Sequence, residues 1–539
     1  MSSETARGTR GESATRGINV RRVGIFGWGV VAPRSRNIEA FEKNLASADS
    51  WLSPFEGFGP NNFLVGNPDF DFAEYKPWVD ARFPATRFAQ LDKKMGMPTK
   101  MAIGAFIQSL GQNPGLEQEL HALGPRAHVY VGTGLGDLPT VHDVTLTLHR
   151  AQRRWDRFWA APERNAALRR WQETREPLAG LPPEPSAVEE NERDVAEEAW
   201  WHFWAGQSAE LRDYLAEQRE IEGLGVEGGN VEAAKLGVIK EKRTRNQRLQ
   251  KKWGAPEPPW NAVPAEILWN IHNTPASQVS MLGKITGMTF APVAACSSFG
   301  YGLKLALDAI RRGDAQAVVL GMTDPPPHPL VVGGFYNARV VSADGAVSKP
   351  LTALRGTHVA GGSVVWIVGD LEHFTAKGFK PLGMEPLTVG VTADAEHIIT
   401  PSKEGPTLAI HEALLQAGVA PAEVGHWDLH ATATPGDYLE METLRAVLPE
   451  TVLITARKGT FGHGMGAGGG WELTAQYLGQ ARGELFPTPL AESELNAQIG
   501  RVHGRYVFDQ AVAVPQGCAG KMSMGVGGIN ACVISRPLR

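Results

Sequence analysis

The chain has 539 residues and a formal net charge of −5. Its hydrophobic fraction of 42% and charged fraction of 21% are typical of a folded globular protein and exclude a disordered or collagen-like chain. The two signs of charge nearly balance, so we predict neither a nucleic acid nor a membrane surface as a partner of the whole chain.

The cysteines and the apolar stretches indicate the compartment. The three cysteines lack Cys-x-x-Cys pairing and are too few for a disulfide framework, which favours a reducing compartment, and we predict the cytoplasm. No stretch approaches the roughly 18 uninterrupted apolar residues that a membrane helix needs, so no membrane span is predicted. Residues 1–20 are predicted to form a disordered tail.

Strand and helix patterns alternate after this tail, as they do in α/β folds. In NIEAFEKNLASADSW, Ile38, Phe41 and Leu45 recur at helical spacing. Strands are predicted at RRVGIFGWGVVAP and AHVYVGTGLGD, and a buried helix at MAIGAFIQSLGQ.

The composition of the sequence changes over residues 148–264, where acidic and basic runs alternate and eight tryptophans occur. Trp155 and Trp159 are four residues apart, as are Leu211 and Leu215, so each pair is expected to share a helix face. We predict a largely helical, Trp-rich insertion, with LPPEP and APEPPW as breaks between helices.

The α/β pattern then resumes and continues to the C-terminus. FAPVAAC is predicted as a strand, SSFGYGLKLALDAIRRGD as a helix that ends at Gly313, and AQAVVLGMTD as the next strand. The later segments GPTLAIHEALLQAGV, HWDLHATATP, TVLITARKGTFGHG and MGVGGINACVIS repeat this alternation. We therefore predict two similar α/β halves, residues 21–372 and 373–539, with the insertion in the first.

Cys296 is the most distinctive candidate for a catalytic residue, because it follows an apolar run and immediately precedes a predicted helix. Free amides at a helix N-terminus favour the thiolate, which is the nucleophilic form of cysteine. The alternative is a buried cysteine that acts as a small apolar residue.

Two histidines stand in distinctive settings. His430 ends HWDLH and opens HATATPGDYLE, whereas His463 lies in KGTFGHGMGAGGGWE between Lys458 and Glu472. For either histidine taken alone, a structural role is the alternative.

The glycines after His463 also satisfy the pattern G-x-G-x-x-G. A true dinucleotide fingerprint follows a strand directly and is followed about 20 residues later by an acidic residue at a strand end, and neither condition is met here. We therefore predict no nicotinamide cofactor, and the absence of zinc-type Cys and His spacing predicts no metal site.

Together, AACSS, HATATPGD, KGTFGHGMGAGG and MGVGGINA resemble, in this order, the motifs of the β-ketoacyl synthase family. These are the decarboxylating condensing enzymes of fatty acid and polyketide synthesis. The resemblance covers most of residues 21–539 except the insertion. It implies a thiolase-like fold of two related α/β halves in α-β-α-β-α layers.

The resemblance also implies a role for each residue of the motifs. Cys296 would accept the acyl group, and the backbone N–H groups of Cys296 and Val526 would form the oxyanion hole. His430 and His463 would stabilise the enolate left by loss of CO2. Val526 stands where the family usually has phenylalanine.

The supporting residues follow from the same motifs. Lys458 would orient the region of His463, with Glu472 as its ionic partner. The other implied residues are Asp437 and Glu440, which would support the loop after His430, and Thr432 and Thr434, which would bind the phosphopantetheine arm.

The resemblance implies decarboxylative Claisen condensation of a Cys-bound acyl group with malonyl-acyl carrier protein. A synthase that initiates chains is one form of such an enzyme. Acyl-CoA or acyl-carrier protein would deliver the primer, no cofactor would be needed, and the chain would form a homodimer. The alternatives are a catalytically silent partner, such as a chain-length factor or scaffold, and a degradative thiolase. A thiolase needs a second catalytic cysteine, and the sequences around Cys518 and Cys532 do not resemble its motif.

Overall fold

The computed structural model describes residues 21–225 and 231–538. The chain divides into two compact units, one formed by residues 21–137 and 270–538 and the other by Leu138–Trp269. The predicted insertion at 148–264 falls inside the second unit. The predicted tail, residues 1–20, lies outside the described residues.

The first unit contains two five-stranded sheets. The strands of the first sheet are β1 (Val23–Val31), β4 (Ala127–Gly132), β5 (Thr289–Phe290), β6 (Ala317–Asp324) and β7 (Gly362–Asp370). The strands of the second are β8 (Met384–Ala393), β9 (Val424–Asp428), β10 (Leu453–Thr455), β13 (Cys518–Gly525) and β14 (Ile529–Pro537).

The two sheets share one topology. When the strands of each sheet are numbered along the chain, both sheets have the order 3-2-4-5-1. In both, the fifth strand is antiparallel to the first and the fourth, and the second is parallel to the third and the fourth. The predicted pair of related α/β halves is therefore present as two copies of one sheet topology.

Helices form the layers around these sheets. The helices of this unit are α1 (Ile38–Leu45), α2 (Lys76–Asp80), α3 (Thr86–Lys94), α4 (Met97–Leu110), α5 (Leu116–Leu123), α11 (Thr274–Gly283), α12 (Ser298–Arg312), α13 (Pro329–Asn337), α14 (Leu371–Ala376), α15 (Glu404–Ala417), α16 (Gly436–Val447), α17 (Lys458–Phe461), α18 (Met465–Arg482) and α19 (Ala497–Val502). Two short strand pairs complete it: β2 (Ser53–Pro54) with β3 (Leu64–Val65), and β11 (Glu484–Leu485) with β12 (Val512–Ala513).

Two helices, α12 and α18, form the central layer. They contact each other and strands of both sheets, and every residue of α18 from Met465 to Gly479 is buried. Helices α4 and α11 pack against the first sheet, and α15 packs against the second. Strands covered on both faces are mostly apolar, and all nine residues of GSVVWIVGD in β7 are buried.

The strand predicted at FAPVAAC is wrong over most of its length. Strand β5 consists only of Thr289–Phe290, and residues 295–297 form a 3-10 turn before α12. Pro292 has no backbone N–H for a ladder, and Ala295 adopts a left-handed φ of 47° that no strand contains. The helix after this turn ends as predicted, with Gly313 in the left-handed conformation after Arg312.

The second unit is helical. Its helices are α6 (Leu138–Ala160), α7 (Ala166–Thr174), α8 (Arg193–Gln207), α9 (Ala209–Glu222) and α10 (Val231–Trp253). The rings of Trp155 and Trp159 pack edge to face at 5.4 Å, and both are buried. Leu211 packs against this cluster, whereas Leu215 is exposed. Among the described residues, neither unit has a helix with the length and apolar character to span a bilayer.

Candidate active site

Cys296 lies in a tight turn between β5 and α12. Ala295 before it has a positive φ, and the Ser298 hydroxyl accepts from the Ala294 N–H at 2.8 Å and donates to the Ala295 carbonyl at 2.6 Å. The Ser297 hydroxyl lies 3.1 Å from the carbonyl of Ser523 and also bonds a carbonyl of β14. Two serine hydroxyls therefore hold the turn in a conformation that an alanine would otherwise avoid.

The Cys296 thiol is buried and protonated at neutral pH. Burial raises the pKa of the thiol to about 11, although the charge of Lys458 and hydrogen bonds from the N–H groups of Val526 and Cys296 itself lower it. The position of Cys296 before a helix suggests a thiolate, but desolvation outweighs the helix amides here. The same two N–H groups are those that the family resemblance implies for an oxyanion hole.

His430 follows β9, where its backbone is held by charged side chains. The Glu440 carboxylate accepts from the N–H of His430 at 2.7 Å and from the N–H of Ala431 at 2.8 Å. The Lys458 ammonium donates to the His430 carbonyl. Lys458 also donates to Glu472 at 2.7 Å, as implied, so its two hydrogen bonds join the His430 carbonyl to α18 rather than contacting His463.

The loop after His430 turns around Asp437. This carboxylate accepts from the N–H of Thr432 at 2.7 Å and from the N–H of Ala433 at 3.1 Å, and Ala433 has a positive φ. The hydroxyls of Thr432 and Thr434 lie 2.9 Å apart. Asp437 and Glu440 thus both bind the backbone of this loop.

His463 has a tautomer that its backbone contacts define. Its Nδ1 accepts from the Met465 N–H at 3.1 Å, so the proton of the neutral ring is on Nε2. The His463 N–H donates to the carbonyl of His358 at 2.6 Å. The ring is thereby fixed as an Nε2–H donor.

The two imidazoles pack edge to face and are both neutral. Their ring centroids are 5.5 Å apart at an interplanar angle of 83°. Burial lowers the pKa of His463 to about 3 and that of His430 well below its ordinary value, and the charge of Lys458 lowers both further. Neutral rings in a buried site act as hydrogen-bond donors, and imidazolium is scarce there at neutral pH.

A cavity of about 400 Å³ brings these side chains together. Cys296, His430 and His463 all line it, as do Thr432 and Thr434. Its other lining residues include Leu330, Val331, Phe335, Ile399, Val526, Asp437 and Glu440, and most of the wall is apolar. The cavity wall includes neither Cys518 nor Cys532.

Three buried charged residues near the site lie outside the four sequence motifs. These residues are Lys521, Arg457 and Asp428. Lys521 lies 2.8 Å from Glu472, and Arg457 lies 3.5 Å from Asp428. The side chains of both ion pairs are at most 1% exposed. The only sequence signal was a charged residue in each of two largely buried strands, Asp428 at the end of VGHWD and Lys521 within CAGKMSMG.

Asp324, at the end of β6, is another buried acid outside the four sequence motifs. It accepts from the N–H groups of Leu135 at 2.9 Å and Gly466 at 2.8 Å, and burial raises its pKa to about 6. It therefore ties the first turn of α18, just after His463, to the first sheet.

The described residues contain no group of three or more histidine, cysteine, aspartate or glutamate side chains arranged to hold a metal ion. The glycines after His463 belong to the start of α18, and Gly466 donates its N–H to Asp324 rather than facing a free phosphate site.

Comparison with known proteins gives two consecutive family matches. Residues 225–372 match the model of the β-ketoacyl synthase N-terminal domain, and residues 387–490 match that of the C-terminal domain. The chain is 32% identical over 276 residues to the mitochondrial 3-oxoacyl-[acyl-carrier-protein] synthase of Arabidopsis thaliana, covering 48% of this chain and 56% of that protein. It is 29% identical over 272 residues to 3-oxoacyl-[acyl-carrier-protein] synthase 2 of Vibrio cholerae, covering 47% of this chain and 64% of that protein. The matches thus span about half to two thirds of these relatives.

Solved structures support the fold over nearly the whole chain. A β-ketoacyl synthase from Burkholderia phymatum superposes with a TM-score of 0.66 at 17% identity, covering 96% of this chain and all of the other. The ishigamide ketosynthase/chain length factor gives a TM-score of 0.65 at 18% identity, with the same coverage. The predicted thiolase-like α/β fold is confirmed, and the two domain matches and these relatives support the resemblance of the chain to the β-ketoacyl synthase family.

Proposed function

We propose that the chain is a condensing acyltransferase that joins a Cys296-bound acyl group to a malonyl thioester with loss of CO2. The observation that carries this proposal is the single cavity lined by Cys296, His430 and His463. Acyl transfer needs a nucleophile beside amide donors, and decarboxylation needs hydrogen-bond donors at a developing enolate oxygen.

In the first step, the Cys296 sulfur attacks the carbonyl carbon of an acyl thioester. The N–H groups of Cys296 and Val526 stabilise the oxyanion of the tetrahedral intermediate. Because the resting cysteine is a thiol, its proton must leave as the new C–S bond forms. That proton ends on the departing carrier thiolate, so the exchange is balanced without any outside acid or base.

In the second step, the malonyl thioester loses CO2 and becomes an enolate. The His463 Nε2–H and an N–H of His430 stabilise the charge on its thioester oxygen. The enolate carbon then attacks the Cys296-bound acyl carbonyl, and the Cys296 thiolate leaves and takes up a proton from solvent. The products are a β-ketoacyl thioester, CO2 and the free thiol.

The substrates in this proposal are carried on phosphopantetheine, whose amides the hydroxyls of Thr432 and Thr434 would bind in the cavity. The partner is an acyl carrier protein with an acidic face. Helix α10 offers a complementary surface, since Lys240, Arg243 and Lys251 are exposed and have no ion pair with any residue of the described ranges. Lys242, Arg245 and Lys252 of the same helix instead pair with Glu222, Glu241 and Glu217.

The proposed assembly is a homodimer formed through the edge of the first sheet. Strand β5 is an edge strand, and Met288 and Val293 beside it are each 54% exposed. Unpaired edges with apolar side chains favour pairing with a second chain. The proposed compartment is the cytoplasm, where its three free cysteines would stay reduced.

Intact-protein mass spectrometry tests the activity directly. The wild-type chain is incubated with a panel of acyl-CoA and acyl-carrier-protein donors, and a mass increase equal to the acyl group is expected on Cys296 alone. Cys296→Ala is the matched control and should remain unmodified while staying folded. A wild-type chain that takes up no acyl group from any donor would favour the silent-partner alternative, and acyl transfer without decarboxylation of malonyl thioester would favour a thiolase.

A further inference from the structure

A second buried ammonium group lies behind His430, and the steps proposed above do not use it. Lys521, in β13, is 1% exposed, and its Nζ donates to the carbonyl of Leu429 at 3.2 Å and to that of Met522. The same Nζ lies 2.8 Å from Oε2 of Glu472. Burying a full charge is unfavourable unless it is compensated, so this placement requires an explanation.

Glu472 joins Lys521 to Lys458. Its Oε1 lies 2.7 Å from the Lys458 ammonium, and its Oε2 faces Lys521. Each ammonium also holds one of two successive carbonyls, Lys521 that of Leu429 and Lys458 that of His430. Burial alone would raise the pKa of Glu472, but the two lysines hold it below its ordinary value, so the bridge stays ionised.

These contacts complete a set of charged hydrogen bonds around the His430 peptide groups. Glu440 accepts hydrogen bonds from the N–H groups of His430 and Ala431. The ammonium groups of the two lysines donate to the carbonyls of Leu429 and His430. Charge-assisted hydrogen bonds are roughly twice as strong as neutral ones. The backbone of His430 is therefore fixed from both sides.

Lys521 also connects two parts of the site. Strand β13 pairs in parallel with β9, and Lys521 lies opposite Asp428, with 3.7 Å between Nζ and Oδ1. Five residues later the chain reaches Val526, whose N–H bonds the Cys296 sulfur. The Lys521 side chain thus joins the end of β9, which precedes His430, to β13, which leads to the Val526 amide.

We propose that Lys521 is a positioning residue for decarboxylation, which sets the place of the His430 ring relative to the Val526 amide through its contacts with Leu429, Glu472 and Asp428. The inference rests on the proposed function, because it assigns His430 to the decarboxylation step. Lys521 does not line the cavity and acts through His430.

The test compares Lys521→Met with wild type in two separate assays. Acylation of Cys296 is followed by intact mass, and CO2 release from a malonyl thioester is followed under saturating substrate. A displacement of about 1 Å at a catalytic group can reduce a rate by about 100-fold, so we expect kcat for CO2 release to fall by about 10- to 100-fold. The acylation rate should stay close to that of wild type.

The pH dependence of CO2 release distinguishes a positioning role of Lys521 from a merely structural one, which would leave it unchanged. Burial raises the pKa of Glu440 to about 7, the N–H of His430 and the charge of Lys521 lower it, and Asp437 raises it. Without Lys521, Glu440 should take up its proton at a higher pH. The acid limb of CO2 release should therefore shift to higher pH in Lys521→Met.

Two further variants keep the test decisive. Lys521→Met with Asp428→Asn restores the local charge balance, so it should regain stability but not the rate of CO2 release. Lys377→Met removes an ammonium that lies 48% exposed beside Glu119 and should behave as wild type. Recovery of CO2 release in the double variant, or equal losses of acylation and CO2 release in both Lys521 variants, would overturn the inference. Failure of wild type to decarboxylate any malonyl thioester would instead overturn the proposed function.

Discussion

Replacement of His463 tests the assigned hydrogen-bond donor most closely. The ring nitrogen Nδ1 accepts from the Met465 N–H, so only Nε2–H is free to donate into the cavity. A glutamine amide nitrogen reaches about the position of Nε2, whereas an asparagine amide nitrogen reaches about that of Nδ1. We therefore expect His463→Gln to keep part of the activity, and His463→Asn and His463→Ala to lose it.

The size of the effect follows from the state of the ring. With a pKa of about 3, only about one His463 ring in 10⁴ is protonated at pH 7, so the lost group is a neutral donor. Removal of one oxyanion donor costs about 2.7–4 kcal/mol, or roughly 10²- to 10³-fold in rate. That loss is expected for His463→Ala in decarboxylation, with the smaller loss in His463→Gln.

The assay is CO2 release from a malonyl thioester, measured from pH 5 to 8. Acylation of Cys296, followed by intact mass, serves as the control because the donors proposed for that step are the amides of Cys296 and Val526 rather than His463. Neutral His463 predicts no pH limb of its own between pH 5 and 8. Equal CO2 release by His463→Asn and His463→Gln, or wild-type release by His463→Ala, would refute the assignment of this donor.

Three further predictions concern the nucleophile, the buried acid of β6 and the glycine before Val526. In a Cys518→Ser background, alkylation of Cys296 by iodoacetamide should accelerate as pH rises toward about 11; a rate that levels off near pH 8 would show a lower thiol pKa. Asp324 has a pKa of about 6 in the folded state against an ordinary 3.8, so the folded state binds its proton more tightly than the unfolded state does. The unfolding free energy of wild type, relative to Asp324→Asn, should therefore rise by about 3 kcal/mol as pH falls from above 6 to below 4. Urea titrations with no such trend would contradict this. Gly525→Ala would place a Cβ 3.0 Å from the Ala294 carbonyl, so it should displace the Val526 amide and slow acylation at least 10-fold; unchanged acylation would show that the turn can adapt.

The periodicity of the sequence was sufficient to predict several helices and strands and their alternation, whereas the thiolase-like fold was implied by the resemblance of the motifs. The helix that buries Ile38, Phe41 and Leu45 lies where their spacing placed it, and Gly313 ends α12 as its position indicated. The turn at Ala295 was not predictable, because an apolar run with no glycine favours a strand. Its left-handed φ is supported by the hydroxyls of Ser297 and Ser298, and both partners of the Ser297 hydroxyl are distant in sequence.

The site was predictable where it depends on local motifs and unpredictable where it depends on long-range pairing. The order of the motifs selected Cys296, His430 and His463, and the structure places all three on one cavity. Neither the contact of Lys521 with Glu472 nor its position opposite Asp428 follows from spacing, because these residues lie on separate elements. The protonated state of Cys296 also depends on burial, which the sequence around it does not specify.

A single-turnover experiment tests the central claim that Cys296, His430 and His463 act on one substrate in one cavity. The acyl-enzyme is isolated, malonyl-carrier protein is added, and loss of the acyl mass from Cys296 is followed together with CO2 and β-ketoacyl product. We predict one CO2 and one product for each acyl group lost from wild type, and a persistent acyl-enzyme in His430→Ala and His463→Ala. Release of the acyl group from wild type without matching CO2, or wild-type turnover in both histidine variants, would contradict it.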